Sequence, residues 1–305
     1  MKKFIKNTVA FFLFLIIFGE IIVRVTHSVT DLPKRIIDEH GIQKYYPNQT
    51  GYWKGGSHKW IVNKLGWPGQ LPDKYDNLIT VIGDSFIENF MNPNECHQSI
   101  LLKKQLKNYN FIEAARSGVS FIEAMEITKQ FDSLRPKLNL IYVGDSDFYE
   151  SVSSILHSQD ITQLNLEKNS VILGKMKSPG LKKILYNWKL LYYFYNRFPL
   201  NFLTGINNSV KHEIKNDKSG FKHQDDIERL LIFVKKHYDI HNKMLVFHPN
   251  SELKIIEICK KSGFQVLVLN SKNDKTWTFE HDSHWTCYGH NQVAKQVAYF
   301  IKGKQ

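Results

Sequence analysis

The stretch Leu78-Ile79-Thr80-Val81-Ile82-Gly83-Asp84-Ser85 decides the fold class. Its first five residues form a short apolar run that predicts a buried β-strand, and Gly83 ends it. Similar runs follow at residues 110–115, 138–143, 243–247 and 264–269, and segments with helical periodicity lie between most of them. Strands that alternate with helices form parallel sheets covered on both faces, so the sequence predicts a doubly wound α/β domain.

The predicted helices of this domain cover residues 95–107, 121–131, 225–241, 252–261 and 289–301. Residues 149–222 interrupt the alternation and are interpreted as an insertion after the third strand. Within it we expect a hairpin at 161–174 with its turn at 167–170, a helix at 181–198 and a polar loop at 207–220. The predicted organisation is an anchor at 1–26, an extended lead-in packed on the domain at 27–77, and the catalytic domain at 78–303.

The predicted helix 181–198 is aromatic and basic. It contains Tyr186, Trp188, Leu191, Tyr192 and Tyr195, together with Lys182, Lys183, Lys189 and Arg197. Such a helix can bind a sugar chain, lie on a membrane or pack on the core. Packing on the core is the favoured interpretation, because large aromatic side chains dominate protein cores.

The N-terminus predicts a membrane segment. Lys2, Lys3 and Lys6 precede an apolar run that begins at Val9 and reaches Val25 when Glu20 and Arg24 are included. A positive segment before an apolar one is typical of export signals, and no small-residue cleavage motif follows. We expect an uncleaved signal anchor with the lysines inside and the rest of the chain exported to the periplasmic or extracellular face. Secretion after cleavage is the alternative.

Composition excludes some classes of partner. The formal net charge is +12, but the lysines are spread along the chain and no nucleic-acid-binding module is recognisable, so no nucleic acid is expected as a partner. The three cysteines, Cys96, Cys259 and Cys287, are far apart. Buried free thiols are favoured, although an oxidising compartment would allow one disulfide.

Two short motifs carry the candidate chemistry. Gly83-Asp84-Ser85 places a serine on the turn after the first strand, and Asp282-Ser283-His284-Trp285 places a histidine two residues after a carboxylate. A histidine oriented by a carboxylate can remove the proton from a serine hydroxyl. The alternatives are a helix cap at Ser85 and a metal site formed by His281, His284 and His290.

Together these motifs resemble those of the SGNH hydrolase family, also called GDSL-like, over residues 60–303. Gly118, after the second strand, matches the family's second block. Gly289 and His290 follow the histidine as in the family's last block. The resemblance implies a three-layer α/β/α fold with a five-stranded, flavodoxin-like parallel sheet. It assigns Ser85 as nucleophile, His284 as base and Asp282 as acid, with Ser85, Gly118 and Ser146 in the oxyanion hole.

One block departs from this pattern. Where the family has G-x-N-D, this chain has Gly144-Asp145-Ser146-Asp147, so a serine replaces the oxyanion-binding asparagine. The D-x-H-W form is similar to membrane-anchored proteins of polysaccharide O-acetylation. The expected function is a serine esterase or O-acyltransferase that acts on an acylated glycan or another ester without a metal or cofactor. The alternative is a glycan-binding or scaffold protein with impaired catalysis.

Overall fold

The computed structural model describes residues 1–176, 178–198 and 223–303. The chain divides into two compact units, described here separately. The helical unit contains Met1–Lys34, Thr50–Lys59 and the described part of Ser178–Ser219, and the sheet unit contains the described part of the remainder. Residues 27–77 therefore contribute to both units. The predicted polar loop at 207–220 lies outside the described residues.

The strands are β1 Arg35–Ile37, β2 Gln43–Tyr45, β3 Thr50–Tyr52, β4 Lys59–Ile61, β5 Leu78–Gly83, β6 Asn110–Ala115, β7 Leu138–Val143, β8 Gln163–Asn165, β9 Ser170–Ile172, β10 Lys243–Phe247, β11 Gln265–Val268, β12 Thr278–Phe279 and β13 Asp282–Trp285. The described α-helices are α1 Lys2–Val25, α2 Ser85–Glu88, α3 Gln98–Gln105, α4 Phe121–Phe131, α5 Asp145–Glu150, α6 Pro179–Asn187, α7 Lys189–Arg197, α8 Gln224–His237, α9 Leu253–Lys261 and α10 Cys287–Lys302.

The central sheet has five parallel strands in the order β11-β10-β7-β5-β6. Numbered along the chain, this is the 2-1-3-4-5 order of flavodoxin-like folds. The sequence-based prediction of a three-layer α/β/α domain is confirmed. In this order the connections diverge between β5 and β7, and ligands of open α/β sheets bind at the carboxyl ends of the strands at such a point.

The sheet is buried on both faces because its strands are continuous apolar runs. Successive side chains point to opposite faces. Ile82 and Ile141 pack in the core that includes residues of α4, α8 and α9, whereas Val81 and Leu140 pack in the core that includes residues of α3 and α10.

The hairpin predicted at 161–174 is present as β8 and β9, with Gln163 paired to Ile172. The predicted helix 95–107 begins later, because Asn94–Cys96 forms a 3-10 turn and His97 is extended before α3. The short strand pairs β1–β2, β3–β4 and β12–β13 were not predicted from the sequence. Strands of two to four residues are too short for an alternating pattern to stand out.

In the helical unit, α1 has 24 residues and is long and apolar enough to cross a membrane or to serve as a signal sequence. At 1.5 Å per residue it spans about 36 Å, more than the hydrocarbon core of a bilayer. Almost all of its side chains are exposed, Val23 being its one buried residue. A helix that is apolar on every side cannot face water stably, which favours a membrane environment.

The predicted helix 181–198 forms two helices, because the backbone of Trp188 is extended between α6 and α7. The favoured core-packing interpretation is wrong for most of its large side chains. Leu185 and Lys189 are buried, while Trp188, Leu191 and Tyr195 are exposed. The apolar side chains of these helices are too numerous for one buried face, and the break at Trp188 separates them further.

The expectation of free thiols is wrong for two of the three cysteines. Cys96 and Cys287 form a disulfide across a sequence separation of 191 residues, with their Cα atoms 5.2 Å apart. Cys259 is a buried free thiol. The sequence spacing gave no sign of this pair, because the sheet topology brings the start of α10 beside the segment that precedes α3.

Candidate active site

Ser85 lies two residues after the end of β5, at the first position of α2. The turn is tight: a Cβ on Gly83 would stand 2.6 Å from Cγ1 of Ile87. The side chain of Asp84 accepts a hydrogen bond of 2.9 Å from the N–H of Phe86 and caps the helix. The serine is thereby held at the carboxyl edge of the sheet, beside the divergence point between β5 and β7.

Asp282 and His284 lie on β13, which pairs with β12 in an antiparallel hairpin. Residues two apart on a strand point to the same side, so this spacing places the carboxylate beside the imidazole. The N–H of His284 also donates a 2.9 Å hydrogen bond to Oδ1 of Asp282. The geometry of a short strand therefore orients the pair.

The three side chains form one hydrogen-bonded chain. Nε2 of His284 lies 2.7 Å from Oγ of Ser85, and its Nδ1 is hydrogen-bonded to Oδ1 of Asp282. Burial by itself would raise the pKa of Asp282, but the hydrogen bonds from His284 outweigh it and the pKa lies below its ordinary value. An ionised carboxylate holds the proton on Nδ1 and leaves Nε2 free to accept the serine proton.

Trp285 fixes the strand that carries this pair. Its side chain is 2% exposed and contacts the ring of Phe86, at 5.0 Å between centroids. Its carbonyl accepts a 2.9 Å hydrogen bond from Nδ2 of Asn92. Asn92 also binds Asn89, which has a left-handed backbone at the end of α2. Asn89, for which the sequence suggested no role, thus connects α2, which begins at Ser85, to β13, which carries His284.

The N–H groups of Ser85 and Gly118 donate none of the hydrogen bonds found among the described residues. Gly118 has a φ of +82°, a conformation that glycine adopts without strain. Its loop is held on both sides: Glu88 accepts a 2.7 Å bond from the N–H of Ser117, and Arg116 donates a 2.7 Å bond to the carbonyl of Ser117.

Arg116 is itself buried and paired to Glu123 at 2.5 Å. A buried ion pair whose hydrogen-bonding groups are satisfied keeps a unique local geometry. This pair therefore fixes the loop that presents the N–H of Gly118. Its role was not visible in the sequence, because no local pattern indicates that Arg116 and Glu123 are buried and paired.

Ser146 lies after β7, near the start of α5, and its side chain is exposed. Its hydroxyl takes part in no hydrogen bond among the described residues. Oγ is 3.8 Å from the position that a Cβ on Gly144 would occupy. A hydroxyl in this place can donate one hydrogen bond to a bound substrate.

Replacing Ser146 with alanine is expected to lower kcat for ester hydrolysis with little change in KM, because an oxyanion donor acts mainly in the transition state. Loss of a strong donor costs about 10²-fold or more, and we expect about 10-fold for a rotatable hydroxyl. Ser283→Ala, which removes an exposed hydroxyl between Asp282 and His284, is the matched control. Equal kcat values for the two variants would remove Ser146 from the oxyanion hole.

Two further carboxyl groups lie at this edge of the sheet. Burial raises the pKa of Asp84 to about 6. Burial, and then the carboxylate of Asp84, raises the pKa of Asp147 well above its ordinary value. Oδ2 of Asp147 accepts a 2.7 Å hydrogen bond from the N–H of Gly144. Both groups hold the turns after β5 and β7. Because burial disfavours their charged forms, their ionisation lowers the free energy of unfolding.

Asp84→Asn is expected to stabilise the protein at pH 7.5 and to have little effect near pH 4. The folded-state pKa of Asp84, about 6, lies above its ordinary value of 3.8, so the folded chain binds this proton more tightly than the unfolded chain. The free energy of unfolding therefore falls as the pH rises from about 4 to about 6. Asparagine keeps the acceptor for the N–H of Phe86.

The measurement is the melting temperature of both proteins at the two pH values. A gain of about 1 kcal/mol corresponds to about 2 °C or more for a chain of this size. Asp73→Asn, at an exposed position, is the control. A stabilisation by Asp84→Asn of equal size at pH 4 and pH 7.5 would contradict the explanation by proton binding.

His248 is a site residue that the sequence analysis missed. It follows β10, and its ring lies 4.2 Å from that of Phe86 and 5.0 Å from that of Trp285, between centroids. Burial, and then the nearby His284, lowers its pKa to about 3, so the ring is neutral. Nε2 is buried without a partner among the described residues. Its place after a strand of the sheet was the one available signal.

The three histidines considered as metal ligands do not converge. His281 is exposed, whereas His290 is buried and receives hydrogen bonds from Gln98 at its ring and carbonyl. No group of three or more histidine, cysteine, aspartate or glutamate side chains in the described parts of the chain is arranged to hold a metal ion. Instead of facing the other two histidines, His284 forms a hydrogen bond with Ser85.

No protein-family model matches the chain, and no curated protein matches it. Among solved structures, the chain is similar to the psychrotrophic esterase EstA of Pseudoalteromonas sp., with 12% identity, a TM-score of 0.39 and coverage of 75% of this chain and 98% of that one. A lipolytic G-D-S-L family protein of Veillonella parvula has 9% identity, a TM-score of 0.37 and coverage of 74% and 98%. TesA has 10% identity, a TM-score of 0.40 and coverage of 74% and 98%. At such scores the chemistry rests on this chain's own geometry.

Proposed function

We propose that the protein is a membrane-anchored serine hydrolase or O-acyltransferase of the SGNH type, acting on acyl esters of a cell-envelope or extracellular glycan. The observation that carries the proposal is the chain of hydrogen bonds from Ser85 through His284 to Asp282. Nucleophile, base and orienting acid come from two segments 197 residues apart, as counted from Ser85 to Asp282, and meet at the edge of the sheet where ligands bind.

In the first half of the reaction, Oγ of Ser85 attacks the ester carbonyl carbon while Nε2 of His284 takes the hydroxyl proton. The negative charge that develops on the carbonyl oxygen is stabilised by the N–H groups of Ser85 and Gly118 and by the hydroxyl of Ser146. The C–O bond to the alcohol then breaks, and His284 returns its proton to the departing oxygen. Ser85 is left as an acyl ester.

In the second half, water or a sugar hydroxyl attacks the acyl-enzyme. His284 takes the proton of the attacking oxygen and then protonates Oγ of Ser85 as that bond breaks. Water releases the free acid, whereas a sugar hydroxyl becomes the new ester. The same residues serve both outcomes, so the acceptor that reaches the acyl-enzyme decides between hydrolysis and transfer.

Two observations support work outside the cytoplasm. The first is α1, with lysines at its start and the length to span a bilayer. The second is the disulfide between Cys96 and Cys287, since such bonds persist mainly in oxidising compartments. Export to the cell envelope makes an acylated glycan the favoured substrate class, in keeping with the D-x-H-W form at Asp282–Trp285.

The test uses the full chain in detergent, with p-nitrophenyl acetate as substrate and a fluorophosphonate probe of nucleophilic serine. We expect turnover and covalent labelling in the wild type, and neither in Ser85→Ala. Acetylated and unmodified polysaccharides then report release of acetate or its transfer. Ser283→Ala serves as the control and should retain both signals.

Labelling that persists in Ser85→Ala would contradict the assignment of the nucleophile. Absence of labelling in a wild type with a cooperative melting transition would favour the alternative, a glycan-binding protein with impaired catalysis. The replacement of the oxyanion asparagine by Ser146 is the feature that favours this alternative.

A further inference from the structure

Exposed apolar side chains lie on helices α6 and α7 and on the residues that flank α7. Leu191 and Phe194 are three residues apart on one face of α7, and Trp188 and Phe198 stand at its two ends. Trp188, Leu191, Phe194 and Phe198 are exposed by 56%, 38%, 49% and 63% respectively. Leu181 and Ile184 of α6 are also exposed. We call these six residues the aromatic face.

An exposed row of this kind needs a partner. Single exposed apolar residues are ordinary, but contiguous apolar patches on soluble proteins mark sites of protein or membrane contact. Part of the same helix pair is already packed, because Lys189, on the side of α7 away from Leu191, is buried, and so is Leu185 of α6. The aromatic face therefore consists of the apolar side chains that this partly packed helix pair leaves exposed.

The helix pair is fastened to the end of α1. The carboxylate of Glu20 accepts hydrogen bonds from the backbone N–H groups of Lys189, at 3.1 Å, and Leu190, at 2.7 Å. These are N–H groups of the first turn of α7, which have no partner within that helix. A carboxylate from α1 thus caps α7 and also compensates its positive helix dipole.

Two further contacts fix the same junction. Arg24, which is paired to Glu20, donates a 2.6 Å hydrogen bond to the carbonyl of Asn187 at the end of α6. A Cβ on Gly19 would stand 3.1 Å from Cδ2 of Leu190, so glycine lets the two helices approach closely. The start of α7 is therefore level with the last two turns of α1.

A partly buried ion pair completes the junction. Nζ of Lys189 lies 2.7 Å from Oδ1 of Asp31, which follows α1 by six residues. Asp31 also accepts a 2.8 Å hydrogen bond from the N–H of Tyr52. Lys189 is one of the cations that made a membrane-surface role an alternative for the predicted helix 181–198. In the structure it is paired inside the unit, and its contribution is to position α7.

We propose that the aromatic face lies in the interfacial layer of the membrane that α1 crosses, so that α6 and α7 form a second, surface-bound membrane contact. If α1 spans the bilayer, its last turns lie at the outer boundary of the hydrocarbon, and the junction holds α7 at this depth. Tryptophan and other aromatic side chains favour this layer.

Charge complementarity selects an anionic lipid surface as the partner. Lys183 and Arg197 are exposed on the same helices, and neither α6 nor α7 contains an acidic residue. Apolar side chains with nearby cations are typical of interfacial helices. This surface depends on the insertion of α1 and is independent of the chemistry proposed at Ser85.

The test places a nitroxide on the full chain in liposomes of phosphatidylcholine and phosphatidylglycerol. Leu191→Cys and Phe194→Cys probe the aromatic face. Ile232→Cys on α8 and Tyr299→Cys on α10 are controls at exposed positions. Because α8 and α10 cover opposite faces of the sheet, at least one control faces water. The native Cys259 is buried, and the other two cysteines are paired.

Collisions with oxygen report lipid, and collisions with a water-soluble nickel complex report water. We expect oxygen collisions to exceed nickel collisions several-fold at positions 191 and 194, and the reverse at the water-facing control. Nickel access at 191 and 194 equal to that of the control would overturn the proposal. Shielding from both reagents would overturn it as well, because protein would then cover the face.

Discussion

His284→Ala is expected to lower kcat for p-nitrophenyl acetate by about 10⁴-fold or more. Without the imidazole, Oγ of Ser85 loses the acceptor 2.7 Å away and remains a neutral, weakly nucleophilic hydroxyl. Labelling by the fluorophosphonate probe should slow in parallel, because it depends on the same nucleophile. KM should change much less, since the imidazole acts on the proton and not on the bound acyl group.

The matched control is His281→Ala, which removes an exposed histidine three residues earlier. It should retain nearly full activity. The melting temperature of both variants should stay close to that of the wild type, because the imidazole of His284 is partly exposed. Comparable losses in the two variants would contradict the assignment of His284 as the base and point to a general disturbance of β13.

Most of the sheet could be predicted from the sequence because each strand is a local signal. Val81, Ile112 and Leu245 lie in apolar runs of strand length, and burial on both faces leaves no polar alternation to confuse them. The helices of the domain were also recognisable, with ends displaced by a few residues. Ends depend on caps such as Ser120, whose side chain accepts from the N–H of Glu123.

The central part of the site could also be predicted from local signals. Ser85 follows the end of a predicted strand, where ligands of such sheets bind, and His284 follows a carboxylate that can orient it. His248 could not be predicted, because its environment comes from Phe86 and Trp285, which are remote in sequence. Contacts of this kind follow from the order of the strands in the sheet, and a local sequence pattern does not reveal that order. The disulfide was missed for the same reason.

The lysine at position 189 shows how a correct general rule can assign the wrong role. A basic aromatic helix is compatible with a membrane-surface contact, which was one of the alternatives for helix 181–198, and Lys189 was counted among the cations that support it. In the structure Lys189 is 8% exposed and paired to Asp31. The pairing depends on Asp31, which stands 158 residues earlier, so no helical period could indicate it.

Removing the disulfide by Cys96→Ser with Cys287→Ser is expected to lower the free energy of unfolding by about 2–5 kcal/mol. For a chain of this size this corresponds to about 5–15 °C in melting temperature. Activity should fall too, because Cys287 follows the histidine strand by two residues and the carbonyl of Cys96 accepts a 3.1 Å hydrogen bond from Asn89. The disulfide therefore joins the two segments that carry Ser85 and His284.

A reductant separates this explanation from a general effect of the substitutions. Dithiothreitol should lower the melting temperature of the wild type toward that of the double variant, and it should leave the double variant unchanged. Cys259→Ala, which removes the buried free thiol, should keep the response of the wild type to the reductant. If complete reduction changed neither the melting temperature nor the turnover of the wild type, the hydrogen bonds of Asn89 and Asn92 would hold the histidine strand without the disulfide.

The loss of activity on reduction should appear mainly in kcat, because a displaced His284 impairs proton transfer from Ser85 more than it impairs substrate binding.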